Sequence, residues 1–220
     1  MSKKTKVLML MFVGIGFVWM LMVYNFIALP FTFQLRYFKP YRTAFMDRYQ
    51  ADDPIQYKWV DLKKISPNLR NAVVFSEDGN FFEHNGFDTE AIKNAIKENW
   101  KRKRFAFGGS TISQQLAKNL YLSASKNPLR KIREFFIALK LERELSKDRI
   151  LELYLNVVEW GKGIYGAEAA SRHYFGEPAA YLNKEQAAFL AAILPKPRFY
   201  DKHRNGTYLG NRVDSIGSKL

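Results

Sequence analysis

An apolar run near the start of the chain dominates the hydrophobic pattern. From Val7 to Leu29 no residue is charged, and only Tyr24 and Asn25 are notably polar. A helix of about 20 apolar residues spans a bilayer core, so this run is long enough to cross a membrane with some tilt. No A-x-A cleavage site follows it, which favours an uncleaved anchor over a secretory signal.

Beyond the anchor, apolar residues recur at helical spacing in several segments, and residues suited to capping stand where these segments begin. Asn183, with Gln186 three residues later, resembles a capping box. We predict five helices: one capped by Asp88 or Thr89 that ends in the basic run at 101–104, one introduced by residues 108–111 and running through Tyr121, one from Pro128 through Leu145, one capped by Ser146, and one over residues 184–194. Alternating strand patterns are scarce, so the pattern predicts a mainly α fold.

These segments divide the 220 residues into four parts. They are a cytoplasmic tail (1–6), a transmembrane helix (7–29), a membrane-proximal connector (30–49) and one mainly helical domain (50–220). The length suits a single domain with one core. Three lysines precede the anchor, at positions 3, 4 and 6, which places the N-terminus in the cytoplasm by the positive-inside rule.

The chain has a formal net charge of +14 and no cysteine. This charge favours an anionic partner, which is nucleic acid, an anionic lipid surface or a phosphorylated substrate. A domain exported behind an anchor is separated from the nucleic acid of the cytoplasm, so its position favours anionic lipid or a lipid-linked phosphate. The absence of cysteine excludes disulfides and thiolate metal sites.

Two adjacent carboxylates, Glu77 and Asp78, follow an apolar run at residues 72–75. A carboxylate near apolar walls has a raised pKa, which suits general acid/base catalysis. The alternative is that the pair only caps or solvates a turn, and composition alone favours this alternative. His84, close behind, is more often a structural hydrogen-bond donor than a catalyst.

A second cluster begins with the two glycines at 108 and 109, followed by Ser110 and Thr111. Free N–H groups at such a helix start form an anion site. The spacing places four polar residues on one helical face: Thr111, Gln114, Gln115 and Lys118. Three apolar residues are expected to pack into the core: Ile112, Leu116 and Leu120. The alternative is ordinary N-capping with a solvated polar face. The spacing of a P-loop is absent.

A third cluster contains Arg130, Lys131 and Glu134, and Arg130 and Glu134 lie four residues apart on one helical face. Arginine and lysine together suit a phosphate clamp with a carboxylate beside it. The alternative is a surface ion pair, which contributes only about 0.2–1 kcal/mol. The segment Phe105–Phe107, next to a basic run, either contacts the membrane or packs within the domain.

These clusters resemble the family 51 glycosyltransferase domain of peptidoglycan synthesis. Five segments match in the family's order: E-D-x-x-F-x-x-H-x-G at Glu77–Gly86, G-G-S-T-I-x-Q-Q-L-x-K-N at Gly108–Asn119, R-K-x-x-E at Arg130–Glu134, K-x-x-I-L-E-x-Y-L-N at Lys147–Asn156, and a glycine- and alanine-rich segment at Gly163–Gly176. The length leaves no room for a transpeptidase domain, so the chain is most similar to the monofunctional members.

The resemblance implies a mainly α, lysozyme-like domain of two lobes. Such a domain joins a lipid-diphosphate glycan donor to the lipid-linked disaccharide acceptor, lipid II, through a β-1,4 link with inversion. Undecaprenyl diphosphate leaves. By resemblance, Glu77 is the general base and Glu134 assists near the donor diphosphate. The residues expected to bind the substrate are Lys118 and Arg130, supported by Lys131, Ser110, Thr111, Gln114 and Gln115.

The resemblance implies no required cofactor, although a divalent metal ion (Mg²⁺ or Mn²⁺) can assist. No metal-ligand residues are predicted. The implied partners are lipid II, the lipid-linked growing glycan, membrane lipids and cell-wall synthesis or division proteins, with no nucleic acid. The implied location is the inner membrane, with the catalytic domain in the periplasm. Two alternatives stay open: a glycan-cleaving enzyme on the same scaffold, and a non-catalytic anchored scaffold protein.

Overall fold

The computed structural model describes residues 2–27, 29–50, 53–101, 109–123, 125 and 127–220. The chain divides into two compact units, residues 1–31 and 32–220. The segment Phe105–Phe107 lies outside the described residues, as do the first glycine of the second cluster and most of the basic run before it.

The first unit consists mainly of one helix, α1 (Lys3–Ile27), of 25 residues. At a rise of 1.5 Å per residue it is about 38 Å long, whereas a bilayer core is about 30 Å thick. Its stretch Lys3–Leu21 has a mean hydropathy of 1.6. By length and composition α1 can cross a membrane, which confirms the prediction of an apolar N-terminal helix.

The second unit is mainly α-helical, as predicted. Its helices are α2 (Ala44–Asp47), α3 (Pro67–Glu77), α4 (Thr89–Lys101), α5 (Ile112–Tyr121), α6 (Pro128–Glu144), α7 (Lys147–Val157), α8 (Ala167–Phe175), α9 (Lys184–Ile193), α10 (Pro197–Tyr200) and α11 (Thr207–Gly217). Two short 3₁₀ turns cover Phe33–Arg36 and Leu62–Lys64.

The predicted helix starts are confirmed by their caps. Asn183 and Gln186 form a reciprocal capping box at the start of α9, each side chain accepting a 2.9 Å hydrogen bond from the other's backbone N–H. The Ser146 hydroxyl accepts a hydrogen bond from the backbone N–H three residues on, at the start of α7. Pro128 occupies the first turn of α6, where no N–H donor is needed.

A small sheet was not predicted. Its strands are β1 (Gln56–Tyr57), β2 (Glu159–Gly161) and β3 (Ile164–Tyr165), in the order β1-β3-β2. β1 runs parallel to β3, with Gln56 opposite Ile164, and β2 runs antiparallel to it. Strands of two or three residues are too short to show an alternating pattern in the sequence.

The core forms around two groups of helices. α5 packs against α6 and α7, while α9 packs against α3 and α11. The three apolar residues predicted on α5 are buried: Ile112, Leu116 and Leu120. α3 also packs against α11. Side chains from both α5 and α11 therefore contact Glu77 at the end of α3.

Candidate active site

The candidate base Glu77 is the last residue of α3. Ser66 caps the start of this helix through its hydroxyl, and Pro67 stands in the first turn. The apolar face of α3 is buried in the core. Asp78 leaves the helical conformation, with φ −163° and ψ 72°. The helix therefore ends at Glu77 and presents its carboxylate at the terminus.

The side chain of Glu77 is 12% exposed. Its Oε2 accepts a 2.9 Å hydrogen bond from Nε2 of Gln115, and its Oε1 lies 3.7 Å from the guanidinium of Arg212. Burial raises the pKa of the Glu77 carboxyl, while Gln115, Arg212 and Lys118 act in the opposite direction. The direction of this shift is the one expected for a carboxylate near apolar walls.

Asp78 has a different role from its neighbour. Its carboxylate accepts hydrogen bonds from Nε2 of His84 (2.9 and 3.1 Å) and from the backbone N–H of Ile112 (2.9 Å). Because Nδ1 of His84 accepts a bond from the Gly86 N–H, Nε2 is the ring nitrogen that donates. Asp78 thus caps the first turn of α5, and His84 is the structural donor that the sequence favoured.

The start of α5 is closed by its own side chains. Thr111 and Gln114 form a capping box and are 2% and 4% exposed. The Thr111 hydroxyl also donates to the Gly86 carbonyl oxygen (2.8 Å). The structure therefore places these two predicted substrate ligands in a helix cap, which corresponds to the N-capping alternative. The anion beside this helix terminus is Asp78.

Three cations surround the second glutamate, and we call them the cationic cluster: Lys118, Arg130 and Lys131. Glu134, whose side chain is 4% exposed, accepts a hydrogen bond from Arg130 on one oxygen and from Lys131 on the other. The Glu134 carboxylate is buried, so this is not the surface ion pair that the sequence left open. Three positive charges meet one carboxylate, so the group carries surplus positive charge.

The charges of both glutamates act on Lys118. Burial lowers its pKa; the charges of Glu134 and Glu77 raise it, and those of Arg130 and Lys131 lower it. Its ammonium lies 5.7 Å from the centre of the Phe45 ring, and it donates no hydrogen bond to a described residue. Within the described chain, therefore, the donors of this ammonium are available to a ligand.

Lys131 connects the cationic cluster to the loop before α5. Its Nζ donates to Oγ of Ser110 (2.9 Å) and approaches Oε1 of Gln114 at 3.5 Å. Ser110 also lines a cleft of about 210 Å³ that reaches Glu77. The structure thus brings Ser110, Gln115 and the cationic cluster to the surroundings of the two glutamates.

Two residues at the site were missed by the sequence reasoning. Arg212 comes from α11, and Tyr154 of α7 donates a 3.0 Å hydrogen bond from its hydroxyl to Oε1 of Gln115. Tyr154 lies within a motif that the sequence had matched, but nothing in its spacing pointed to Gln115. Among the described residues, no group of three or more His, Cys, Asp and Glu side chains is placed to hold a metal ion.

Comparison with known proteins covers almost the whole chain. The family model described as Transglycosylase matches residues 44–220. The biosynthetic peptidoglycan transglycosylase of Nitrosospira multiformis is 45% identical over 211 residues, which cover 93% of this chain and 92% of that protein. Proteins of the same description from Chromobacterium violaceum (47% identical, 90% of each chain) and Dechloromonas aromatica (42% identical, 98% of this chain and 94% of the relative) are similar over a comparable length.

Proposed function

This chain belongs to the transglycosylase family and is a peptidoglycan glycosyltransferase, and we propose that it polymerises lipid II into β-1,4-linked glycan strands. The donor is the growing glycan on its lipid diphosphate, and the acceptor is lipid II. The acceptor's 4-hydroxyl oxygen bonds to the donor's anomeric carbon as the bond to diphosphate breaks. Undecaprenyl diphosphate leaves with the bonding electrons.

In this proposal Glu77 takes the proton of the acceptor hydroxyl. A base must be ionised yet basic enough to accept a proton, and the raised pKa of Glu77 suits that task. The donor sugar is α-linked and the product β-linked, so a single displacement with inversion is sufficient. A covalent glycosyl-enzyme intermediate is therefore not needed.

The cationic cluster stabilises the departing diphosphate. Negative charge grows on that group as its bond to the sugar breaks, and fixed cations offset it most strongly in the transition state. Glu134 holds Arg130 and Lys131 in place through both of its oxygens. Ser110 completes the proposed binding set, Gln115 supports it through its hydrogen bond to Glu77, and Thr111 and Gln114 support it as the cap of α5.

The observation that supports the proposal most strongly is the position of Lys118. On α5, Gln115 bonds to Glu77, and Lys118 follows three residues later with charges from both Glu77 and Glu134 acting on it. One helix therefore carries the contact to the base and a cation for the leaving group. A hydrolase of mature glycan forms no diphosphate leaving group and has no use for this cluster.

We also propose that α1 anchors the enzyme in the inner membrane, with its N-terminus in the cytoplasm and the catalytic domain in the periplasm. Lys3, Lys4 and Lys6 before the apolar stretch support this orientation. The proposed partners are membrane lipids and cell-wall synthesis or division proteins, and no nucleic acid. The reaction requires no cofactor, and a divalent metal ion acts only as an additional counter-charge on the diphosphate.

The test uses purified full-length protein in detergent with pure lipid II, with and without Mg²⁺. Separation by size is expected to show long glycan strands and released undecaprenyl diphosphate. A parallel incubation with mature glycan is expected to release no soluble fragments. Fragments from mature glycan, without polymer from lipid II, would support the cleaving enzyme instead. Polymer formed only with Mg²⁺ would make the metal ion essential.

A further inference from the structure

Three side chains form a hydrogen-bonded chain from the core to the candidate base. The hydroxyl of Tyr154 lies 3.0 Å from Oε1 of Gln115, and Nε2 of Gln115 lies 2.9 Å from Oε2 of Glu77. Tyr154 is fully buried in α7. The chain therefore joins the centre of the domain to one particular carboxylate oxygen.

The direction of these bonds follows from their chemistry. An ionised Glu77 can only accept hydrogen bonds, so the amide nitrogen of Gln115 must face it. The amide oxygen then faces Tyr154, whose hydroxyl must donate. Burial, followed by the charges of Glu77 and Asp78, raises the pKa of Tyr154 well above its ordinary value, so the phenol keeps its proton.

Packing alone does not require a tyrosine at this position. A phenylalanine would fill nearly the same space, whereas a buried hydroxyl is costly unless it has a partner. The partner here is the amide that contacts the base. If the hydroxyl were absent, Gln115 could rotate its amide and present oxygen to Glu77, which favours the protonated carboxyl.

We propose that Tyr154 is a positioning residue that fixes the orientation of Gln115 and thereby reserves Oε1 of Glu77 for the acceptor proton. Oε2 is occupied by the amide of Gln115. Oε1, which lies 3.7 Å from Arg212, has a longer and weaker contact and is the oxygen left to the substrate. The proposal rests on the function given above and adds a specific role for the tyrosine.

The experiment replaces Tyr154 with phenylalanine in the full-length protein and follows glycan formation from lipid II across pH. We expect Tyr154→Phe to lower kcat about tenfold, the effect of losing about one hydrogen bond's free energy. The KM for lipid II should stay within about twofold, since no substrate ligand is removed. The acid limb of the kcat profile should move to higher pH, because Gln115 no longer stabilises ionised Glu77.

The matched control is Tyr165→Phe, because Tyr165 is equally buried but lies in β3, away from this chain of bonds. It should leave kcat and the pH profile unchanged. A second comparison introduces Tyr154→Phe into the Gln115→Ala variant. In that variant Tyr154→Phe should change kcat by less than about twofold, because Gln115, the residue through which Tyr154 acts, is absent. Activities are normalised to the folded fraction measured by near-ultraviolet circular dichroism.

The outcomes separate this proposal from the one on which it rests. If the unsubstituted protein and Tyr165→Phe polymerise lipid II but Tyr154→Phe keeps the original pH profile, the positioning role is wrong and the function stands. The positioning role would also be wrong if Tyr154→Phe lowered kcat by the same factor in the unsubstituted protein and in the Gln115→Ala variant. If the unsubstituted protein forms no glycan, the proposed function itself fails.

Discussion

Glu77 and Asp78 are consecutive residues, but their carboxylates bond to different parts of α5. Asp78 accepts the backbone N–H of Ile112 at the first turn, and Glu77 accepts the side-chain amide of Gln115 in the next turn. Two hydrogen bonds therefore join the end of α3 to α5. Because α5 also carries Lys118, this arrangement fixes the base relative to the cationic cluster.

Removing the hydrogen bond between Asp78 and the Ile112 N–H should destabilise the domain. Asp78→Ala leaves the Ile112 N–H and Nε2 of His84 without an acceptor, which costs about 1–3 kcal/mol for each buried group. Asp47→Ala is the control, because Asp47 forms an exposed ion pair with Arg42 that contributes at most about 1 kcal/mol. Urea unfolding measures both variants. Equal stability of the two variants would contradict the capping role of Asp78.

The plot of kcat against pH should be bell-shaped, and narrower than it would be if Glu77 and Lys118 had the ordinary pKa values of glutamate and lysine. Activity needs ionised Glu77, so it is lost as pH falls through a raised pKa. It also needs charged Lys118, so it is lost as pH rises through a lowered pKa. Lys118→Arg should move the basic limb to higher pH, since arginine stays protonated. An unchanged basic limb in this variant would remove Lys118 from the explanation.

Neutralising the cationic cluster should slow the reaction, and Arg130→Met should also destabilise the domain, because it takes one partner from the buried Glu134 carboxylate. Lys118→Met and Arg130→Met should each lower kcat about 10²- to 10³-fold, the usual effect of removing one donor to a developing negative charge. Lys184→Met, at the exposed start of α9, is the control and should be neutral. Initial rates with pure lipid II test this. A rise in KM alone would mean that the cations bind the ground state and the transition state equally.

Arg212 should act on Glu77 through its charge. It lies 3.7 Å from Oε1 and lowers the pKa of that carboxyl. Arg212→Met should therefore move the acid limb of the kcat profile to higher pH, and kcat at a fixed acidic pH should fall as a smaller fraction of Glu77 is ionised. Arg212→Lys keeps the positive charge and should restore most of the profile. If lysine and methionine behave alike, the role of Arg212 is not electrostatic.

The sequence predicted the features that depend on local chemistry. Caps such as Ser146 and the Asn183 box identify helix starts because they satisfy donors a few residues away. The helical spacing of Ile112, Leu116 and Leu120 correctly predicted a buried face. The apolar N-terminal helix and the mainly α class follow from composition and from the helical spacing of apolar residues in the same way.

The remaining features depend on tertiary packing, which one sequence does not reveal. Thr111 and Gln114 were equally consistent with a cap and with a polar binding face until their burial was known. Arg212 reaches Glu77 only because α11 packs against α3 and α9. The contact between Tyr154 and Gln115 likewise requires α7 to pack on α5.

The most direct test of the central claim is glycan formation by Glu77→Gln, measured together with thermal unfolding. Loss of the base should slow polymerisation of pure lipid II by about 10²- to 10⁴-fold. The raised pKa means that ionised Glu77 weakens the fold above that pKa, and that stability rises as pH falls through it. The variant should therefore unfold at the same or a higher temperature at neutral pH. A folded Glu77→Gln protein that polymerises lipid II at the original rate would contradict the role of Glu77 as the base.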